Sequence, residues 1–364
     1  MVGRLDLERY KGLIKSLTQF GDRRQGTDRN KAALDWIEAR LKEYGCTNTE
    51  RLQYVYDPGA GRAGAAGGRG PADPNTGPGG ARRRGNRIID QVNTDPLAQK
   101  DERVRKLDEQ PMTPGPREEI YCTKIGSTHP EEMYIVAAHM DGHGWNEAAN
   151  DDGSGTALVI ELARIFSSPD VTTDRSIRFA LWNNEETGTN GSRAYVAQRK
   201  DLQGIENPPG SGKYPEPKWL GMIQHDMLLF DHGMPQPDGT IPKKQRPEAD
   251  INVEYAFQAK QAMPAMMLAQ TFLLANDKYS SDYPATIGIH MTNTDSGPFM
   301  DYTAAISVRE AERGSQLGQG WDPNHHQPSD LYTTYNDDDF RLGLNSVQMT
   351  LGAVAQLSGA KLKK

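Results

Sequence analysis

Two stretches with almost nothing polar on either face, "EEMYIVAAH" (131–139) and "SIRFALWNN" (176–184), flank a segment of helical periodicity, "DGSGTALVIELARIF" (152–166). A strand apolar on both faces must be covered on both, and joining parallel strands takes a long crossover, usually helical. The alternation continues with "GSRAYVAQRK" as helix and "WLGMIQHDMLLF" as strand. Beyond these come "INVEYAF" as strand, "AMPAMMLAQTFLLAN" as helix, "AAISVRE" as strand and "DFRLGLNSVQMTLGAVAQLSG" as a C-terminal helix. Upstream, "DRNKAALDWIEARLKEYG" sets Ala33, Ile37, Leu41 and Tyr44 on one face, with Asp28 as N-cap and Gly45 past the end, and a strand is expected at about 48–56. The expectation is an α/β fold with a mixed, mostly parallel central sheet flanked by helices on both faces.

At 364 residues and 36% hydrophobic, the chain can bury one large core, and residues 1–364 read as a single domain. Composition changes abruptly over about 57–117, where "DPGAGRAGAAGGRGPADPNTGPGGARRRGNR" has almost nothing apolar to bury. This is read as a mobile surface insert. In its second half, "DPLAQKDERVRKLDEQ" predicts a short charged helix with Asp95 as N-cap and Pro96 in first position. Two roles stay open: a tolerated loop insertion, or an arm carrying Arg82, Arg83 and Arg84.

Lys and Arg number 42 against 49 Asp and Glu, a net charge of −7, so the overall balance invites neither nucleic acid nor an anionic membrane. No apolar run approaches the roughly 20 residues of a membrane-spanning helix. "MVGRLDLERYKGLIKSL" reads as an amphipathic helix without a signal peptide's apolar region, so any export signal is expected to have been removed or never present. Two cysteines, Cys46 and Cys122, exclude a Cys-rich zinc site. They fall near strands expected to be neighbours; a bridge would close a loop of about 76 residues, worth roughly 4 kcal/mol, and two separate buried thiols are the alternative.

Ionisable clusters follow the strand-like segments: His139 with Asp141, Asp151 with Asp152, Glu185 with Glu186, and His225 with Asp226, joined by "HHQPSD" (325–330). Strand ends in such sheets open into one crevice, and carboxylates gathered there repel unless a cation lies among them. Imidazole and carboxylate together are the donor set of zinc or a similar divalent ion. His139 and Asp141, two residues apart in extended chain, point the same way, so the carboxylate is expected to orient the imidazole. Glu185 and Glu186 point differently, which suits one ligand and one free base. Asp151, ahead of Gly153, Ser154 and Gly155 at a helix start, is placed to bridge two ions.

The motifs "AAHMDGHG", "NDDGSGTALVIELAR", "NNEETGTNGSRAYV", "QHDM" and "HHQPSD", in this order, resemble the zinc aminopeptidases of metallopeptidase family M28, from about residue 118 to the C-terminus. The resemblance implies a zinc-exopeptidase fold (phosphorylase/hydrolase-like) and two zinc ions, with other first-row metals as substitutes. It implies His139, Asp151 and Asp226 on one ion, Asp151, Glu186 and His326 on the other, Glu185 as general base and Asp141 behind His139. Peptide or protein N-termini are the implied substrate, and secretion or the periplasm the implied location. His225 and His325 are alternatives to their neighbours under a one-residue slip, His143 is expected in solvent, and His129, His232 and His290 are expected to be structural. The family often shows Ser-Asp-His before Pro-Phe, whereas this chain reads "NTDSGPF", with Asp295 matching and Ser296 in place of histidine. Tyr302 is a candidate oxyanion donor. Rival readings are a single-zinc acyltransferase like glutaminyl cyclase, and a non-catalytic receptor that keeps the fold.

Overall fold

The computed structural model describes residues 1–56, 92–232, 240, 242–280, 282–288, 293–310 and 322–363. Eight strands form one sheet: β1 (Thr49–Val55), β2 (Pro116–Lys124), β3 (His129–His139), β5 (Arg175–Trp182), β6 (Lys218–His225), β7 (Ile251–Glu254), β8 (Ala285–Gly288) and β9 (Ala305–Glu310), with β4 (Val171–Thr172) and β10 (Lys361–Leu362) pairing separately. The order is β1-β2-β5-β3-β6-β9-β7-β8. The central strands β5, β3, β6 and β9 run parallel, while β1–β2, β2–β5 and β7–β9 pair antiparallel. The mixed, mostly parallel sheet expected from the sequence is what forms.

Alternation within the strands explains the two-sided core. Val136 and Ala138 of β3 join Ile177, Phe179 and Ile223 on one face, under α1 (Leu7–Leu17), α2 (Asp28–Glu43), α4 (Gly153–Phe166), α6 (Ala262–Tyr279) and α7 (Asp337–Ser358). Met133, Ile135 and Ala137 join Trp182, Trp219 and Met222 on the other, under Tyr195 and Val196 of α5 (Asn190–Arg199). At roughly 1.5–3 kcal/mol per fully buried large apolar side chain, each face is a substantial share of the driving force for folding.

The expected strand over 219–230 stops at His225, which leaves Asp226 as the first residue beyond β6. His225 itself is fully buried between the Ala137 carbonyl (3.0 Å) and the Thr350 hydroxyl (2.9 Å). Cys46 and Cys122 are joined by a disulfide across 76 residues, tying the chain after α2 to β2.

Of the span read as a mobile insert, residues 57–91, including Arg82, Arg83 and Arg84, lie outside the described residues. The part from 92 onward is fastened to the body. Asp95 caps only a single 3-10 turn (Pro96–Ala98), and the helix α3 (Glu102–Asp108) is capped by Asp101 instead. The fully expected length of that helix is not reached because Gln99 leaves the helical path and donates to the carbonyls of Trp145 and Pro328 (2.8 and 3.0 Å).

Candidate metal centre

His139, Asp151 and Asp226 lie at the ends of buried elements, Glu186 in the 3-10 turn after β5, and His326 in the loop ahead of α7. β3 ends at His139, the first ionisable residue after its apolar run. α4 begins just after Asp152, whose carboxylate accepts from the Gly155 amide (2.8 Å) and the His139 amide (3.2 Å), so this acid is consumed by structure. Its neighbour Asp151 is left to face the cavity. The Asp151 amide donates to Asp330 (3.2 Å), as does that of Asn150 (2.8 Å), and the Tyr335 hydroxyl completes the set (2.9 Å). Arg23, fully buried, donates to the carbonyls of Met140, Glu147 and Ala148 and pins the loop between His139 and Asp151.

Asp151 lies between two imidazoles. Its Oδ1 is 3.2 Å from His139 Nε2, and its Oδ2 is 3.2 Å from His326 Nε2. His139 Nε2 is also 3.7 Å from Asp226 Oδ1, and His326 Nε2 is 2.8 Å from Glu186 Oε2. His139, Asp151 and Glu186 each bring a donor atom within 4.8 Å of the others, as do Asp151, His325 and His326. His326 holds a left-handed backbone (φ +58°), a conformation uncommon outside glycine and concentrated at functional sites. His325 Nε2 lies 3.3 Å from Asp151 Oδ2, and His326 reaches both Asp151 and Glu186.

The Asp141 expectation needs correcting in detail. His139 Nδ1 lies 3.0 Å from the backbone carbonyl of Asp141 and 3.9 Å from its carboxylate. A carbonyl only accepts, so Nδ1 carries a proton there, and Nε2 is the ring atom directed at Asp151 and Asp226. The Asp141 carboxylate turns instead to the Glu185 amide (3.1 Å). It thereby fixes the Glu185 segment, and burial raises the Asp141 pKa to about 6.

Charge and burial push these groups apart. Burial alone would raise Asp151, but His139 and His326 hold it well below the usual carboxylate range. Glu185 is raised well above it, by burial first and then by the charges of Asp295, Glu186 and Asp226, against the pull of His139. Asp226 is drawn down by Arg309 in spite of burial, and its Oδ2 lies 3.1 Å from Arg309 Nη2. Burial also raises Asp295 to about 7, with the Ser192 hydroxyl donating to it at 2.5 Å.

Sequence reasoning missed His143 and Arg309. His143, expected in solvent, has its side chain 13% exposed and lies 3.0 Å from Glu186. Arg309 carried a signal, a lone cation on the otherwise apolar and small run of β9. His129 pairs with Glu131 at the surface and His232 with Asp339, while His290 lies outside the described residues. Tyr302, the candidate oxyanion donor, is 48% exposed, with its ring 5.9 Å from Lys200 Nζ.

The donor set fits a divalent ion. Among the described residues, Asp151 Oδ2 and Glu186 Oε1 are buried without a hydrogen-bond partner. Buried carboxylate oxygens that lack a hydrogen bond are costly, and a cation between them offsets the cost.

Comparison with known proteins agrees with this chemistry. The family described as Peptidase family M28 matches residues 120–342. The chain is 29% identical over 244 residues to the probable lipoprotein aminopeptidase LpqL of Mycobacterium tuberculosis, a match covering 66% of this chain and 46% of that protein. The chain thus spans under half the length of that curated relative. Its fold resembles BSAP, a zinc aminopeptidase from Bacillus subtilis, at 15% identity and a TM-score of 0.63, covering 99% of this chain and 96% of that one. Glutaminyl cyclase of Porphyromonas gingivalis is similar at 14% identity and a TM-score of 0.58, covering 97% and 98%. These identities speak to fold alone, but the family match takes in well over half of the chain and every residue of the centre: the protein belongs to peptidase family M28.

Proposed function

We propose that this protein is a zinc-dependent aminopeptidase that hydrolyses the N-terminal peptide bond of peptides or proteins, and that residues 1–364 work as one peptidase domain. The observation that carries the reading is Asp151, whose two oxygens face two different imidazoles at the same 3.2 Å. One carboxylate presented in two directions is the arrangement a pair of ions shares. In this reading His139, Asp151 and Asp226 hold one zinc, and Asp151, Glu186 and His326 hold the other. When bound, such a pair supplies a water acidified toward neutral pH and a Lewis acid for the carbonyl oxygen.

The chain's own residues do the rest. Glu185 accepts the proton of the attacking water and returns it to the departing amine. Asp141 holds the Glu185 amide, so the base stays in register with the cavity. The Asp141 carbonyl fixes the His139 tautomer, and Arg309 secures one oxygen of Asp226 while the other remains toward His139. Turnover needs no covalent bond to the protein.

A location outside the cytoplasm fits the lipoprotein name of the Mycobacterium tuberculosis relative and the Cys46–Cys122 bridge, with secretion or the periplasm as the finer proposal. No helix among the described residues is long and apolar enough to cross a membrane.

The test compares a peptide with its Nα-acetylated form. A free amino terminus is expected to be required, so acetylation abolishes cleavage at the first bond. Equal rates for the two would contradict the aminopeptidase assignment. A single-zinc cyclase would instead release ammonia from a peptide beginning with Gln and leave its chain length unchanged.

A further inference from the structure

Outside the residues assigned above, one side chain is built into the centre. We infer that His143 is a further protein ligand of the ion held by Glu186 and His326, an inference that rests on the two-metal reading. His143 Nε2 lies 3.0 Å from Glu186 Oε2, the same oxygen that His326 Nε2 meets at 2.8 Å. One donor atom from each of His143, Glu186 and His326 falls within 4.8 Å of the other two. Two imidazole nitrogens and a carboxylate oxygen at this separation are a zinc donor set in themselves.

The alternative, that His143 only hydrogen-bonds Glu186, does not account for the geometry. Despite their closeness, His143 Nε2 has no hydrogen-bond partner among the described residues, and neither does Glu186 Oε1, on a side chain that is 5% exposed. His143 Nε2 is buried and 3.0 Å from Glu186 Oε2 without the alignment a hydrogen bond needs. The His143 and His326 rings stand at 88° with centroids 4.2 Å apart, so the two imidazoles meet edge to face.

The backbone is shaped to bring this about. Gly144 has φ +112°, and a Cβ there would sit 2.5 Å from the carbonyl carbon and oxygen of His326. Only glycine lets the His143 loop lie this closely against the His326 loop. Asn146 then fastens the two, donating from one amide nitrogen to the carbonyls of His143 (2.9 Å) and Gln327 (3.0 Å). Loop contacts of this kind hold an imidazole at a set position, which a solvent-facing histidine does not need.

The test is a Zn²⁺ titration of metal-stripped full-length protein against a competing chromophoric chelator, for wild type, His143→Ala and His143→Cys, with bound zinc counted by elemental analysis. The expected result is two zinc ions in wild type. His143→Ala weakens one of the two by roughly 100-fold, at or above the top of the range for losing a residue that merely supports a ligand. The other ion is unaffected, and His143→Cys, which restores a donor atom, recovers most of the loss. Unchanged affinity for both ions in His143→Ala, with wild type still binding two, overturns the role of His143 and leaves the two-metal reading standing. Equal weakening in the Ala and Cys variants also overturns it, because a purely spatial role does not distinguish a thiolate from a methyl group. Fewer than two ions in wild type is a failure of the two-metal reading itself. Circular dichroism of each stripped variant identifies any loss of fold, and Co²⁺ loading supplies an independent readout: the visible bands of one site shift in His143→Ala if His143 is a ligand and stay unchanged if it is not.

Discussion

Glu185 and Glu186 are adjacent, yet their surroundings push their proton affinities in opposite directions. Burial among acids raises Glu185, whereas His143 and His326 draw Glu186 down in spite of burial. Exchanging Glu185 for Gln keeps the shape and removes the proton acceptor. Turnover by Glu185→Gln is expected to fall by about 10²–10⁴-fold with zinc content unchanged, measured by initial rates beside elemental analysis. Full turnover in that variant would remove Glu185 from its role. At this scale the residues next to the end of a strand or the start of a helix were legible, because each sits at a fixed offset from it: His139, Asp151 and Asp226 need only β3, α4 and β6 to be placed. His143 was not, because a histidine between two glycines carries no local trace of what its loop will meet. Nor was the use of the Asp141 carbonyl in place of its carboxylate, since the turn after β3 rotates that side chain toward Glu185.

Between elements, charge holds α2 to β1, and a covalent link just past the C-terminal end of α2 ties the chain to β2. Glu38 accepts from Lys42 (2.7 Å), Thr49 (2.8 Å) and Arg51 (2.8 Å), and although burial would raise its pKa, these partners bring it down to about 2. The folded value lies below the unfolded one of about 4.3, so the contribution is present above that pH and is lost as pH falls toward 2. Glu38→Gln should therefore flatten the loss of stability between about pH 4 and pH 2, read from denaturant midpoints across that range. Identical slopes in the two proteins would contradict the assignment. The Cys46–Cys122 bridge closes a 76-residue loop, and replacing both cysteines by serine is expected to lower stability by about 4 kcal/mol. A variant as stable as wild type would show that the link adds little. Periodicity made the helices and strands readable to within a few residues, and the sheet followed from their order. The packing of residues 92–110 was not readable, because Asn93 and Gln99 take partners near residues 145 and 327, far along the chain.

For the molecule as a whole, the sheet is a platform whose strand ends gather acids that the fold alone does not neutralise. Two carboxylates 4 Å apart repel by about 4 kcal/mol at an effective dielectric near 20, and this centre packs Asp151, Glu186 and Asp226 around two imidazoles. A cation pair relieves that repulsion, so holding the ions and holding the fold are linked. Counting zinc in the purified protein while recording its melting temperature before and after chelation tests this account most directly. Two zinc ions per chain, with a melting temperature that drops on their removal and recovers on their return, are the predicted result. A chain that binds none, or that melts at the same temperature with and without them, would contradict it.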